Sequence, residues 1–93
     1  MFEWDPKKAK SNFLKHGITF EQASTVFFDP NALDGLDIEH SKHEPRYLRL
    51  GWSLDRNTLT VAYTVRKVTD GTTKIRIISA RKASKKERKT YAE

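Results

Sequence analysis

The sequence predicts an α+β fold in which two N-terminal helices precede an antiparallel sheet of three to four strands and a C-terminal helix follows it. Three observations support this order: helix-capping signals near both ends of the chain, three alternating apolar segments between residues 46 and 80, and a hairpin signal at Asp70-Gly71. With 93 residues the chain has the length of one domain, and we expect residues 1–93 to form it.

Capping residues mark two helices near the N-terminus. Asp5 can cap the first helix, Pro6 suits its first position and Gly17 follows its last. Thr19 and Gln22 have the spacing of a capping box for the second helix, which should run to about residue 27. The acidic stretch from 29 to 45 that follows indicates a loop with one short strand near 32–36.

Alternation in the segments 46–54, 59–66 and 74–80 predicts three strands with two different faces. We expect the apolar face to be covered by the first two helices and to carry Leu48, Leu50, Trp52, Leu59, Val61, Tyr63, Val65, Ile75 and Ile77. The other face would carry Tyr47, Arg49, Thr60, Thr64, Arg66, Lys74 and Arg76. This second face has the chemistry of a phosphate cradle with a stacking ring, although a merely solvated face remains the alternative.

A last helix is predicted from Ser84, with Glu87 in the position that completes a second capping box. It carries a run of cations and, near its end, Tyr91. Residues 66–93 hold ten bases against three acids, whereas residues 29–44 hold five acids against one base. The formal charge of +6 is therefore concentrated in one half, a distribution that favours a polyanionic partner such as nucleic acid.

Composition excludes several classes of protein. The sequence has no cysteine, which removes disulfides, thiolate metal sites and a cysteine nucleophile, and no apolar run long enough to span a membrane. The first residues, Met1–Asp5, lack the apolar segment of a secretory signal. We therefore expect a cytoplasmic protein with no membrane association and no cofactor.

The three histidines are the side chains whose ordinary pKa lies near neutrality. His40-x-x-His43-Glu44 has a loose resemblance to a metal-binding spacing, but we expect no metal site there. His16 falls in the last turn of the first helix, where a favourable interaction with the helix dipole is sufficient to explain it.

Several segments, in order along nearly the whole chain, resemble one protein family. They are Phe2-x-Trp4-Asp5, Lys15-His16-Gly17-Ile18-x-Phe20, Val26-Phe27-x-Asp29, Asp37-x-x-His40-Ser41, Glu44-x-Arg46, Tyr63-Thr64-x-Arg66, Ile75-Arg76-Ile77-Ile78-Ser79-Ala80-Arg81-x-Ala83 and Glu87-Arg88-x-x-Tyr91. The series resembles the BrnT toxins. The resemblance implies a RelE-like fold, a ribonuclease that cleaves RNA and inhibits translation, and a BrnA-like DNA-binding antitoxin whose complex with the toxin binds operator DNA.

Metal-independent RNA cleavage needs a base, an acid and a cation that stabilises the charge developing on the phosphate. For these catalytic roles we expect Arg66 and Arg81, which fall in the family motifs, together with His16 and Tyr91. Alternation places Arg81 on the core side unless it lies beyond the end of its strand, and burial beside an acid is its other interpretation. We expect RNA contacts from Tyr47, Arg49, Arg76, Lys82 and Arg88. A non-catalytic nucleic-acid-binding module, or a module that only docks an antitoxin, remains the alternative function.

Overall fold

A single sheet and three helices make up the part of the chain that the structure, a computed structural model, describes: residues 1–68 and 70–92. In chain order the elements are β1 (Phe2–Glu3), α1 (Pro6–His16), α2 (Phe20–Ser24), a 3₁₀ helix (Thr25–Phe28), β2 (Leu33–Leu36), a second 3₁₀ helix (Ile38–His40), β3 (Tyr47–Trp52), β4 (Thr58–Lys67), β5 (Thr73–Lys82) and α3 (Lys85–Ala92). Among these helices, none has the length and apolar character needed to cross a membrane.

The sheet has the strand order β1-β5-β4-β3-β2. Strands β2 to β5 pair antiparallel, whereas β1 runs parallel to β5. The predicted α+β class is confirmed, but the expectation of three to four antiparallel strands was wrong, since the described residues form five strands in a mixed sheet. β1 was missed because two residues are too few to show an alternating pattern.

The capping signals are confirmed by hydrogen bonds. Asp5 Oδ1 accepts from the Lys7 amide at 2.9 Å, and the Thr19–Gln22 capping box forms in both directions. Gly17 ends α1 in the left-handed region with φ +71°, which glycine adopts without strain. The α-helix that follows is shorter than predicted: it ends at residue 24 and tightens into the 3₁₀ helix that runs to residue 28.

The hairpin signal and the second capping box are also confirmed. β4 and β5 stay paired out to Lys67 and Thr73, and Gly71 has φ +84° in the connection between them. Ser84 and Glu87 exchange the two bonds of a capping box at the start of α3.

The core lies between the sheet and the segment formed by α2 and the first 3₁₀ helix. We call the side of the sheet that faces this segment the helix face and the opposite side the open face. The fully buried cluster on the helix face consists of Ile18, Phe20, Ala23, Val26, Leu59, Val61, Ile77 and Ala80, with Phe2, Trp4, Ala9, Phe27 and Ile75 packed around it.

Strand β3 presents the face opposite to the one predicted. Its register pairs Tyr47 with Tyr63 and Arg49 with Val61, so Tyr47 and Arg49 lie on the helix face, and Leu48, Leu50 and Trp52 lie on the open face. The prediction was wrong because the apolar residues of β3 belong to the side on which α3 contacts this strand. Gly51 permits the arrangement, since a Cβ at this position would lie 3.1 Å from the Cβ of Ala32 and 3.2 Å from that of Val26.

An extra residue in β5 changes which side chains reach the open face. Ala62 pairs with Ser79 and the next residue, Tyr63, pairs with Ile77, so Ile78 is a β-bulge. Beyond the bulge the alternation is reversed: Ala80 enters the core and Arg81 points to the open face while still within the strand. The expectation that alternation directs Arg81 to the core side was wrong for this reason.

The side chain of Asn12 completes the sheet where β1 ends. Its amide nitrogen donates to the Ala80 carbonyl at 2.9 Å, and its oxygen accepts from the Ala80 amide at 3.0 Å. The same nitrogen donates to the Ile18 carbonyl at 3.0 Å. One buried side chain thus satisfies three backbone groups and fastens α1 to β5.

Replacing Asn12 should therefore destabilise the fold strongly. We expect Asn12→Leu to lower the free energy of unfolding by about 2–4 kcal/mol, because buried backbone groups lose their partners. Urea unfolding followed by circular dichroism measures the change. Asn31→Leu, at an exposed position, is the matched control and should change stability by less than about 0.5 kcal/mol. Equal effects of the two substitutions would contradict the role assigned to Asn12.

Candidate active site

One concavity of the described residues lies on the open face, between the segment 37–46 and α1. It has a volume of about 490 Å³, and Thr64 and Ile78 contribute the sheet side of it. Its remaining lining side chains are Lys8, Glu39, His40, Lys42, His43, Glu44 and Arg46. Three permanent cations thus stand against two carboxylates, with two histidines among them.

A smaller concavity of about 220 Å³ adjoins the first one and shares Lys8 and Ile78 with it. It adds Ser11, Asn12, Lys15, His16 and Ser79 to the lining. We call the two together the histidine groove, because all three histidines of the sequence lie along it. The groove therefore combines imidazole groups with cations of the kind that pair with phosphate.

His40 is oriented by Asp37. Its Nδ1 lies 3.0 Å and 3.1 Å from the two carboxylate oxygens of Asp37, so that nitrogen is committed to Asp37 and Nε2 is left for a substrate. Arg46 Nε lies 3.8 Å from the same carboxylate and, although buried, has no hydrogen-bond partner among residues 1–68 and 70–92. An oriented imidazole beside an unsatisfied guanidinium nitrogen is an arrangement suited to proton transfer next to an anion.

Backbone and hydroxyl bonds hold this segment in place. The Asp37 amide donates to the Arg46 carbonyl at 2.7 Å, and Ser41 Oγ donates to the Asp37 carbonyl at 2.5 Å while accepting from the Arg46 amide at 3.0 Å. The segment is thereby closed on itself, so Asp37, His40 and Arg46 keep a fixed geometry relative to one another.

Arg66, predicted to be catalytic, and Arg76, predicted to contact RNA, are brought together on the open face by Glu3. Their NH1 atoms lie 2.7 Å and 3.1 Å from the same oxygen, Oε2 of Glu3. The hydrogen bond from Arg76 is the largest cause that lowers the pKa of Glu3, and Arg66 adds to it. Arg76 is the cross-strand neighbour of Thr64, so this cluster adjoins the histidine groove.

Arg81 lies at the other end of β5 and is paired with Glu87 of α3. Its two terminal nitrogens lie 2.6 Å and 3.1 Å from the two oxygens of Glu87, which is the bidentate geometry of a strong ion pair. The hydrogen bond from Arg81 is the largest cause that lowers the pKa of Glu87 to about 2, and the same bond to Glu87 is the largest cause that raises the pKa of Arg81. Lys82 and Arg88 are exposed at the same end, and Arg88 donates to the Ala83 carbonyl.

Tyr91 fastens the end of α3 to the edge of β3. Its hydroxyl lies 2.5 Å from Asp29 Oδ2, which also accepts from the Trp52 amide at 2.8 Å. Burial alone would raise the pKa of Asp29, but the bonds from Tyr91 and Trp52 outweigh it and lower the pKa. The hydrogen bond to Asp29 is the largest cause that raises the pKa of Tyr91 to about 12.

Tyr47 and Arg49 lie on the helix face rather than beside the other predicted RNA contacts. Arg49 lies over the Phe27 ring, with its central carbon 5.0 Å from the ring centre, and forms an ion pair of 2.6 Å with Asp34. The Tyr63 hydroxyl donates to the same Asp34, and the Tyr47 ring stacks on Tyr63 at 5.5 Å between centroids. Arg49 therefore joins β3, β2 and the first 3₁₀ helix.

The nine predicted site residues thus fall into four places. Arg66 and Arg76 adjoin the groove, and His16 lines its smaller part. Arg81, Tyr91, Lys82 and Arg88 lie around α3, and Tyr47 and Arg49 lie on the helix face. The sequence-based prediction missed Lys8, His40 and Arg46 as members of one groove. The signal available was the motif Asp37-x-x-His40, whose spacing brings the two side chains together across one 3₁₀ turn.

Within the described ranges 1–68 and 70–92, no three His, Cys, Asp or Glu side chains are grouped so as to hold a metal ion. The pair of histidines at 40 and 43 lines the groove, but its environment provides phosphate-binding cations as well as carboxylates.

The fold and the groove define a small basic α+β protein with a histidine-lined concavity on its sheet. The model of the BrnT family, described as "Ribonuclease toxin, BrnT, of type II toxin-antitoxin system", matches residues 4–87. This chain belongs to that family of ribonuclease toxins of type II toxin–antitoxin systems.

A solved structure shares the fold. The crystal structure of the Brucella abortus ribonuclease toxin BrnT superposes with a TM-score of 0.62 at 23% sequence identity, covering 91% of this chain and 99% of that one. None of the curated proteins matches the chain significantly by sequence.

The ion pair between Arg81 and Glu87 should make stability depend on acid pH. Because folding lowers the pKa of Glu87 from 4.5 to about 2, the contribution is complete above about pH 5 and is lost as the pH falls toward 2. We expect Glu87→Gln to lower the unfolding free energy by about 1–2 kcal/mol at pH 7 and by much less at pH 2. Urea unfolding of the parent and the variant at pH 7, 4 and 2 measures this difference.

Glu21→Gln is the matched control for that series, because it removes the same charge from an exposed carboxylate that has no ion pair among the described residues. A Glu87→Gln penalty that is as large at pH 2 as at pH 7 would show that packing, not the ion pair, is responsible.

Proposed function

We propose that this protein is a metal-independent endoribonuclease toxin that cleaves RNA, thereby inhibits translation, and is neutralised by a BrnA-like antitoxin. The observation that carries the proposal is the Asp37–His40 pair in the histidine groove, with Arg46 and Lys8 lining the same concavity. Membership of the ribonuclease toxin family supports the reaction class.

The proposed reaction begins with the 2′-hydroxyl of a nucleotide bound in the groove. His40 Nε2 accepts the proton of that hydroxyl, whose oxygen forms a bond to the neighbouring phosphorus. The bond from phosphorus to the 5′ oxygen breaks, leaving a 2′,3′-cyclic phosphate, and an acid protonates the departing oxygen. His16, in the adjoining part of the groove, is our candidate for that acid.

The charge that grows on the phosphate in this step needs fixed cations. Arg46 lines the larger part of the groove, and Lys8 is a member of both parts. Arg66 stays in the proposal as a catalytic cation, since its partner Arg76 is one cross-strand position from the groove at Thr64. Preorganised donors of this kind act where charge develops in the transition state.

Arg81 and Tyr91 are also proposed as catalytic, and like Arg66, which is paired with Glu3, they are engaged by carboxylates in the free protein. Both lie around α3, and each is bonded to a carboxylate, Glu87 or Asp29, that RNA would have to displace. Lys82 and Arg88, exposed near them, are proposed as contacts to the RNA backbone together with Arg76. Tyr47 and Arg49 complete the proposed RNA contacts, although Arg49 would need to leave Asp34.

The proposed partner follows from the type II family and from charge. A BrnA-like antitoxin that covers the basic groove would block RNA from entering it, and binding would stabilise a small toxin by mass action. We also propose that the complex binds operator DNA through the antitoxin, and that both proteins act in the cytoplasm without any contact with a membrane.

Cleavage by the purified protein tests the proposed function directly. Antitoxin-free protein, verified as folded by circular dichroism, should degrade RNA in EDTA as fast as without it, since the groups in the proposed mechanism are side chains. Gel analysis of a labelled RNA with time gives the rate. Loss of cleavage in EDTA, with recovery on adding a divalent metal, would refute metal independence. Folded protein that binds RNA without cleaving it would instead be a non-catalytic binding module.

His40 should matter much more than its neighbour in the same segment. We expect His40→Gln to slow single-turnover cleavage by about 100- to 10,000-fold, the range for loss of a general acid or base. His43→Gln is the matched control: His43 lines the groove but has no hydrogen bond to another described residue, and the expected loss is below about tenfold. Both variants should melt at the temperature of the parent. Similar losses in the two variants would contradict the role of the Asp37–His40 pair.

A further inference from the structure

Glu3, Arg66 and Arg76 form a cluster on the open face, and the chemistry proposed above assigns roles to its two arginines but leaves Glu3 unexplained. Glu3 and Arg76 are neighbours in the parallel pair β1–β5, and Arg66 reaches the same carboxylate from β4. Both guanidinium groups bond to one oxygen, Oε2, through one nitrogen each. Two cations therefore share a single anion.

The cluster retains an excess of positive charge. Lys74 is the cross-strand partner of Arg66 and has no ion pair within residues 1–68 and 70–92. Apart from NH1, neither guanidinium has a nitrogen that bonds to another described residue. The remaining N–H donors belong to two planar guanidinium groups. Together they can bond to more oxygen atoms than one carboxylate provides, and a phosphate diester is a ligand with suitable oxygens.

The position of the cluster connects it to the histidine groove. Arg76 is the cross-strand partner of Thr64, and Thr64 contributes to the sheet side of the groove. An RNA strand that places one phosphate in the groove would therefore pass its next phosphates along the open face, where these arginines lie. The side chain of Arg66 is 55% exposed, so the ion pair with Glu3 can be reached from solvent.

We propose that Arg66 and Arg76 form a phosphate subsite for the RNA backbone, and that the Glu3 carboxylate occupies this subsite in the free protein until RNA displaces it. The proposal rests on RNA as the ligand of the adjoining groove. Carboxylate and phosphate compete for the same donors, and an exposed ion pair is weak enough to exchange. Glu3 thus acts as a positioning residue: it keeps both guanidinium groups at the subsite and lowers the affinity for any single phosphate.

Glu3→Gln removes the competing charge and keeps a side chain of the same shape. We expect it to bind a 2′-O-methyl RNA oligonucleotide, which cannot be cleaved, about two- to thirtyfold more tightly, the range expected from releasing two exposed ion pairs. Fluorescence anisotropy over a series of salt concentrations measures the affinity and its salt dependence. The gain should disappear in the double variant Glu3→Gln, Arg76→Ala. Glu21→Gln, with the same change in net charge on α2, should bind like the parent.

The outcomes separate this inference from the proposed cleavage. Tighter binding by Glu3→Gln in a protein that fails to cleave unmodified RNA would support the subsite and refute the nuclease. Equal or weaker binding by Glu3→Gln would overturn the subsite, whether or not the protein cleaves RNA. So would an equal gain in Glu21→Gln, because the effect would then be one of net charge alone. Absence of binding by every variant would overturn both proposals.

Discussion

The β-bulge at Ile78 is the local constraint on which the arrangement of the open face depends. Before it, β5 sends Ile75 and Ile77 into the core, and after it the strand sends Ala80 there instead. Without the extra residue, Arg81 would point into an apolar core, where an unpaired guanidinium is costly to bury. With the extra residue in place, Arg81 forms an ion pair with Glu87, and the Ala80 amide donates a hydrogen bond to Asn12. Ile78 itself lines both parts of the histidine groove.

Carboxylates hold five of the nine residues that the sequence singled out as functional. Glu3 holds Arg66 and Arg76, Asp34 holds Arg49, Glu87 holds Arg81 and Asp29 holds Tyr91. Several of these acids are distant in sequence from their partners. Acids of the N-terminal half therefore neutralise some of the bases that are in excess in the C-terminal half. Along the histidine groove, Lys8 and Lys42 have no ion pair among the described residues, and they share the lining with two glutamates.

The sequence predicted local structure well where the cause is local. Caps depend on residues three positions apart, and Asp5, Thr19 and Ser84 with Glu87 all form the bonds expected of them. The sheet face on which the apolar side chains of each strand lie was predicted less well. Alternation shows that the two sides of a strand differ in polarity, but it does not show which side faces the helices. Which side of β3 meets the helices depends on its register with β4 and on the close approach at Gly51. The alternation of β5 breaks at Ile78, the position of the bulge, but two consecutive apolar residues also fit a regular strand with Ile78 on the other face.

The candidate site was predicted in part for the same reason. His16, Arg66 and Arg76 were identified individually from family motifs and alternation, and the structure places them in or beside one groove. His40 was assigned to an acidic loop, because the sequence does not reveal that the segment 37–46 folds back over the sheet. The bonds of Ser41 to Asp37 and Arg46 close that segment, and they join residues whose proximity only the folded chain establishes.

The two borders of the sheet are protected to different degrees. On the β5 side, β1 and the amide of Asn12 occupy backbone groups that would otherwise be exposed to another chain. On the opposite side, β2 is the terminal strand, and all four of its residues are exposed, including Leu33 and Leu36. The free edge of such a strand is a template for pairing with a further strand, and the shortness of β2 and the acidic residue Asp34 oppose that. Self-association of this protein at high concentration through this border would add a strand to β2 and so lengthen the sheet.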